Sequence, residues 1–177
     1  MEQRFERLVD QHGGRLLQLA RLILRSQAEA EDAVQDCLVK LWDHLARLND
    51  GQELAWLVTC TRNACLDRLR TQQRRGELMA QRAECLIPSE PALSPDHSLA
   101  AELRALQLHS AIAALPEPGR SLLILRDIQD MDVAEVAQAL SLSANQVKVY
   151  NFRARRALRM ALEADTQFEE AAHESIA

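Results

Sequence analysis

Three of the chain's five prolines, Pro88, Pro91 and Pro95, fall in the single stretch Ile87–Ser98. Proline lacks a backbone N–H and fixes φ, so it blocks a helix interior and biases its predecessor toward extended backbone. This stretch is the one clear break in the sequence and reads as a linker over residues 81–98. It leaves residues 1–80 and 99–164 as two units of small-domain size, with 165–177 as a tail.

Composition says what those units can be. Hydrophobic residues make up 47% of the chain, but aromatics only 3%. Leu and Ala dominate, β-branched runs are few, and the five glycines sit where helices could end. The fold class is therefore all-α, two small helical domains joined by the Pro-rich linker.

In the first half, Phe5, Leu8 and Val9 begin a helical pattern that Leu16, Leu17, Ala20, Ile23 and Leu24 continue, and Gly13-Gly14 offers a break between them. A second helix opens with Glu29, Glu31 and Asp32, acids suited to the positive end of the helix dipole, and carries the stripe Val34, Leu38, Leu41, Trp42, Leu45. Asn49-Asp-Gly51 signals a turn. A third helix then places Leu54, Leu57, Val58, Thr61, Cys65 and Leu69 on one face. The second half reads as a helix over Leu99–Leu115, a break at Pro116-Glu-Pro-Gly119, a helix to about Asp127, a short helix over Val133–Leu140 and a long helix capped by Ser143.

No apolar stretch approaches the roughly 18 residues a membrane span needs. The N-terminus also lacks the basic-then-apolar layout of a signal peptide. A cytoplasmic protein is expected, with Cys37, Cys60, Cys65 and Cys85 reduced. Cys60 and Cys65, five apart, point to different helix faces, so buried thiols are expected rather than a metal site. No Ser/His/Asp spacing or phosphate-cradling glycine loop appears, and the histidines are scattered; no catalysis, cofactor or small-molecule substrate is expected.

The formal net charge is −5, which alone speaks against nucleic acid. After Leu162, however, the chain carries Glu163, Asp165, Glu169, Glu170 and Glu174 and no Lys or Arg. Residues 1–162 are neutral overall, and within them two segments are basic. Arg62–Arg75 holds five arginines and one acid, Asp67; Ser143–Met160 holds Lys148, Arg153, Arg155, Arg156 and Arg159 and no acid. Two basic stripes on a neutral body form a footprint for a polyanion.

The second stripe belongs to a helix-turn-helix pattern. Val136, Ala137, Leu140, Leu142, Val147 and Tyr150 are spaced so that two short helices clasp at a steep angle, with small Ala137 permitting close approach. Ser141 stands in the turn, where glycine is common. Away from the clasp the second helix offers Asn145, Lys148, Val149, Phe152, Arg153 and Arg156. Lys and Arg suit guanine or phosphate, and Val149 and Phe152 suit thymine methyls, so this face fits a major groove. In the first stripe Arg62, Asn63, Arg68 and Arg70 follow the turn loop Leu48–Glu53. Asparagine can bond a base edge, and a loop beside a basic helix can hold an unstacked base. Trp56, within an apolar run, is read as core, and Asp67 as a local partner of the arginines.

Three segments carry a family resemblance. Ala30-Glu-Asp-Ala-Val-Gln-Asp-Cys-Leu-Val-Lys-Leu-Trp42 resembles the polymerase-binding segment of sigma region two. Ala55-Trp-Leu-Val-Thr-Cys-Thr-Arg-Asn-Ala-Cys-Leu-Asp-Arg-Leu-Arg70 resembles the adjoining helix that reads the minus-ten element. Leu115-Pro-Glu-Pro-Gly-Arg-Ser-Leu-Leu-Ile-Leu-Arg126, with the helix-turn-helix after it, resembles sigma region four. Their order, and the absence of room for regions one and three, is the pattern of extracytoplasmic-function sigma factors. The resemblance implies an alternative sigma factor with core RNA polymerase, promoter DNA and an anti-sigma factor as partners. By the same resemblance Gln35, Asp36 and Leu38 would dock the polymerase clamp helices. Asn63, with the Leu48–Glu53 loop, would hold a base flipped from the minus-ten element, beside Arg62, Arg68 and Arg70. Lys148, Phe152 and Arg153, with Asn145, Val149 and Arg156, would meet the minus-thirty-five element. Val149, Tyr150 and Asn151 depart from the small, basic and apolar residues usual there, and the acidic run Asp127–Asp132 is also unusual. The competing readings are a conventional helix-turn-helix regulator, which leaves the first stripe idle, and a sigma mimic that titrates an anti-sigma.

Overall fold

The computed structural model describes residues 1–80 and 99–174, with side chains over 1–74 and 104–163. The expected linker, 81–98, lies outside the described residues, as does 175–177.

Helix α1, Glu2–Leu24, runs unbroken through Gly13 and Gly14. The break expected there does not form. Each glycine costs a helix about 0.5–1 kcal/mol relative to alanine. Leu8, Leu16, Leu19, Leu22 and Ile23, however, keep one face of α1 buried from end to end, and each such side chain contributes about 1.5–3 kcal/mol. The helix stops at Arg25, left-handed at φ 58, whose N–H returns to Arg21 O. Helix α2, Gln27–His44, starts at Ser26, whose hydroxyl accepts the Glu29 N–H. A 3-10 turn, Leu45–Arg47, and a loop lead to α3, Glu53–Ala80. The three helices pack on one another. Of the stripe expected on α3, Leu57, Val58, Thr61 and Cys65 are buried, and Leu54 and Leu69 half-buried. Trp56 is half-buried against the His44 ring, 5.6 Å between centroids. Trp42 keeps an exposed edge and meets Phe5 edge-on at 5.2 Å.

The second region begins with α4, Leu99–Ala114. Helix α5, Gly119–Leu123, passes into a π turn over Ile124–Ile128. Helix α6, Val133–Leu140, and α7, Ala144–Glu174, follow. Helix α7 continues past residue 164, so the acidic segment begins as helix. Among the described residues every regular element is helical.

The two regions share a core. Leu115, Leu122, Ile124, Leu125, Met131 and Val136 join the buried residues of α1–α3 in one cluster, with α3 against α6 and α1 against α4 and the π turn. Among the described residues, three side chains make polar ties across the seam. Arg62 Nε donates to Ser121 Oγ at 2.8 Å and Nη2 to Glu117 Oε2 at 3.1 Å. Thr59 Oγ1 reaches Ala139 O at 2.6 Å, and Gln129 Nε2 donates to Arg15 O at 2.8 Å. Ser121, fully buried, also donates to Glu117 Oε2, so one oxygen of the carboxylate takes both bonds.

Candidate nucleic-acid interface

The turn between α6 and α7 is built on Ser141, left-handed at φ 54 in the place where glycine is common. The Leu142 N–H returns to Ala137 O at 2.9 Å, which fixes the bend. Both helices are capped by side chains. Asp132 accepts the Glu135 N–H while Glu135 accepts the Asp132 N–H. Ser143 and Gln146 form the same reciprocal box at the start of α7. Val136 and Val147 are buried in the clasp, and Ala137, Leu140, Leu142 and Tyr150 are packed against it.

With those positions turned inward, all six residues expected to meet DNA from this helix lie exposed: Asn145, Lys148, Val149, Phe152, Arg153 and Arg156. Phe152 is 69% exposed, a poor place for an aromatic ring unless something covers it. Arg155, one position away, is withdrawn from this face. Its Nε donates to Asp127 Oδ2 at 2.7 Å, and Asn151 Nδ2 reaches the same carboxylate at 3.4 Å. Burial pushes the Asp127 carboxyl up, but those bonds outweigh it and hold it below the usual carboxylate range. The acidic run that precedes the helix-turn-helix thus has local work. Asp127 anchors α7, Gln129 ties the π turn to α1, and Asp132 caps α6. Asn151 is likewise spent on the anchor.

The first stripe is arranged differently. Arg62 is held at the seam. Arg68 Nη2 donates to Asp36 Oδ2 on α2 at 2.6 Å, and Arg70 Nη1 to Asp67 Oδ1 at 2.8 Å. Asn63 is exposed, and no hydrogen bond or ion pair holds its side chain. Of the α2 residues assigned to polymerase, Gln35 and Asp36 are exposed and Leu38 is half-buried, so the segment forms part of the surface with Asp36 tethered to α3.

The loop Leu48–Glu53 is braced by residues the sequence does not single out. Arg4 donates from Nη1 to Leu45 O and from Nη2 to Leu48 O, bonds Glu53 Oε1 at 2.8 Å, and lies 3.0 Å from Asp50. Glu53 Oε2 accepts the Gly51 N–H at 2.6 Å, and Gly51 takes φ 86, which glycine adopts without strain. Burial would raise the Glu53 carboxyl; Arg4 and the backbone N–H groups hold it below its ordinary value. A glutamate opening a helix after Asn-Asp-Gly hints at such a cap, but nothing local pairs it with Arg4.

Residues 8–75 match the sigma-70 region 2 family and residues 105–158 match the sigma-70 region 4 family. Among curated proteins, the chain is 28% identical over 159 residues to the ECF RNA polymerase sigma factor SigE of Mycolicibacterium smegmatis. The chain belongs to the extracytoplasmic-function group of the sigma-70 family. The match to SigE covers 88% of this chain and 60% of that protein. Among solved structures, CnrH in complex with the cytosolic domain of CnrY superposes with a TM-score of 0.69 at 27% identity, over 93% of this chain and 91% of that one. RpoE of Bartonella quintana, solved with the anti-sigma factor NepR, shares the fold with a TM-score of 0.73 at 23% identity, over 92% and 98% of the two chains. The matched sigma regions are the two helical regions described above. The surfaces built by α2–α3 and by α7 fall inside them.

Proposed function

We infer that the chain is an alternative sigma factor that binds core RNA polymerase and directs promoter-specific initiation under the control of an anti-sigma factor. The observation that carries this is the six-residue face of α7, exposed and free of internal partners inside a region-four fold, in one chain with a region-two bundle whose Asn63 is equally free. Residues 1–80 serve as region two, 81–98 as linker, 99–164 as region four and 165–177 as an acidic tail. Gln35, Asp36 and Leu38 dock the polymerase clamp. Asn63 and the Leu48–Glu53 loop receive a minus-ten base, with Arg62, Arg68 and Arg70 beside it. Asn145, Lys148, Val149, Phe152, Arg153 and Arg156 read the minus-thirty-five element. The protein works in the cytoplasm, on the polymerase's chemistry and none of its own. No helix among the described residues is long and apolar enough to cross a membrane. Since Arg62 is bound to Glu117 and Ser121, the second region must swing away from α3 before Arg62 can face DNA, which is compatible with an anti-sigma that favours the packed form.

The test is transcription from a promoter library by core polymerase with and without the purified chain. Transcripts that appear only with the chain and share a minus-thirty-five and minus-ten pair are expected. Promoter binding without core polymerase, and no transcript with it, would instead indicate a conventional regulator. Capture of an anti-sigma with neither would indicate a mimic.

A further inference from the structure

One arginine of the second basic stripe is kept off the surface that the others form. Arg155 Nε donates to Asp127 Oδ2 at 2.7 Å and its Nη2 donates to Oδ1, a two-pronged pair between planar groups. Asn151 Nδ2 adds a third donor to that carboxylate at 3.4 Å. Arg126, next to Asp127 in sequence, bonds elsewhere, its Nη1 donating to Met131 O. The carboxylate is presented by the π turn over Ile124–Ile128, which closes from the Gln129 N–H to Ile124 O at 3.0 Å and is one residue wider than an α turn. Ile124 and Leu125 stay in the core, while the Asp127 side chain, 21% exposed, meets α7.

We propose that Asp127 is a positioning residue for promoter binding, which holds Arg155 on the π turn and so withholds one arginine from the DNA backbone. The Arg155 side chain is 62% exposed, and an exposed pair of this kind contributes little to stability. Its consequence lies in where it puts the charge. At 3.6 residues per turn, Arg155 shares the side of α7 that carries Lys148, two turns before it, and Arg159, one turn after. Both of those are exposed and, among the described residues, unpaired. A released guanidinium would join that row, along the edge of the face formed by Asn145, Phe152 and Arg156, where the phosphate backbone bounds the groove. Phosphate contacts position a protein and carry no sequence information, so one more would tighten binding to every duplex, promoter or not. Asp127 thus limits sequence-independent affinity without touching DNA, and it gives the acidic run before the helix-turn-helix a part in promoter choice. The proposal rests on the reading that α7 meets the promoter duplex.

The test is fluorescence anisotropy of the full chain on a duplex of scrambled sequence across a salt series, read as the slope of log affinity against log salt. Asp127→Asn, or Asp127→Ser where the asparagine still holds Arg155, should steepen the slope by about 0.9, one phosphate contact. Lowering the salt from 200 to 50 mM should then gain that variant about 3.5-fold more affinity than wild type. Asp127→Glu, which keeps the charge, should keep the wild-type slope. Arg155→Gln alone should also match wild type, and Asp127→Asn with Arg155→Gln should return to it. A looser α7 does not imitate this pattern, because it lowers affinity at every salt concentration alike. Unchanged slopes in Asp127→Asn and Asp127→Ser, while Lys148→Ala flattens the slope, overturn the proposal and leave the reading of α7 intact. So does a flatter slope in Arg155→Gln, which would make Arg155 a DNA contact already, or a steeper slope in the double variant, which would make the effect independent of Arg155. Slopes that neither Lys148→Ala nor Arg153→Ala alters overturn the reading of α7 and the proposal with it.

Discussion

The seam between the two regions gives the sharpest prediction, because one arginine serves it with two bonds. Arg62→Ala removes charge-assisted hydrogen bonds to Ser121 and Glu117. Such bonds are each worth about 1.5–3 kcal/mol. The side chains of Arg62 and Glu117 are only 17% and 23% exposed, so water recovers part of the loss but not most of it. The seam should weaken by about 2–4 kcal/mol, a shift of roughly thirtyfold or more toward separated regions. Both tryptophans, Trp42 and Trp56, lie in the first region. Fluorescence therefore follows that region alone while circular dichroism follows the whole chain. In urea the wild-type transitions should coincide; in Arg62→Ala the circular dichroism midpoint should fall further and the two curves separate. A cycle with Glu117→Gln should return a coupling of about 1–3 kcal/mol. Glu117→Gln also frees Arg62 without deleting it. Affinity for a single-stranded minus-ten oligonucleotide should rise in that variant and not in Arg62→Ala. Coincident transitions with unchanged midpoints, or a coupling within error of zero, would refute the claim that this pair holds the regions together.

Three further outcomes follow from the sites. Asn63→Ala should leave polymerase binding and duplex minus-thirty-five affinity near wild type while permanganate footprinting shows reduced opening, only partly recovered on a pre-melted template; wild-type opening removes Asn63 from the site. Arg153→Ala should lower promoter affinity by about 1–3 kcal/mol with relaxed preference at one minus-thirty-five position, whereas a uniform loss across sequences would make it a phosphate contact. The folded-state value of Glu53 is depressed, so its contribution is complete above the unfolded carboxylate value of about 4.3 and drains as pH falls through the lower folded value. Protection of the Gly51 amide against exchange, relative to its intrinsic rate at each pH, should therefore fall on acidification in wild type and be low throughout in Glu53→Gln.

Helical class, the clasp and the exposed face of α7 were legible because each is a matter of period and type within a few residues. Val136 and Val147 alternate with polar neighbours at helical spacing, and the six outward positions follow once the inward ones are known. Gly13-Gly14 misled because helix propensity is local, while the burial of Leu16 and Leu19 that overrides it is tertiary. The fates of the charged residues were least legible. Asp67 and Arg70 are three apart, and their pairing was expected; Arg68 and Asp36 are 32 apart, and Arg62 and Glu117 are 55 apart. Distance along the chain says nothing about such pairs until the helices are packed. The same holds for Arg4 and Glu53.

These pairings change what a basic stripe means. Counted in sequence, the two stripes look equivalent. In the fold, Arg62, Arg68 and Arg70 are each neutralised by a carboxylate, while on α7, among the described residues, only Arg155 is. Lys148, Arg153, Arg156 and Arg159 remain exposed, without a partner among the described residues. Each phosphate contact contributes about 0.9 to the slope of log affinity against log salt on duplex DNA. With the packed seam intact, binding to a promoter duplex should then show a slope of at most about 3–4, the four free cations of α7 alone. Were the paired arginines released on binding, the slope would approach about 6. Fluorescence anisotropy across a salt series distinguishes the two, and Glu117→Gln supplies the control, since it should steepen the slope by at most about 1 through Arg62. A slope near 6 in the wild type would mean that DNA alone breaks all three pairs, the Arg62–Glu117 tie across the seam and the Arg68–Asp36 and Arg70–Asp67 pairs within the first region.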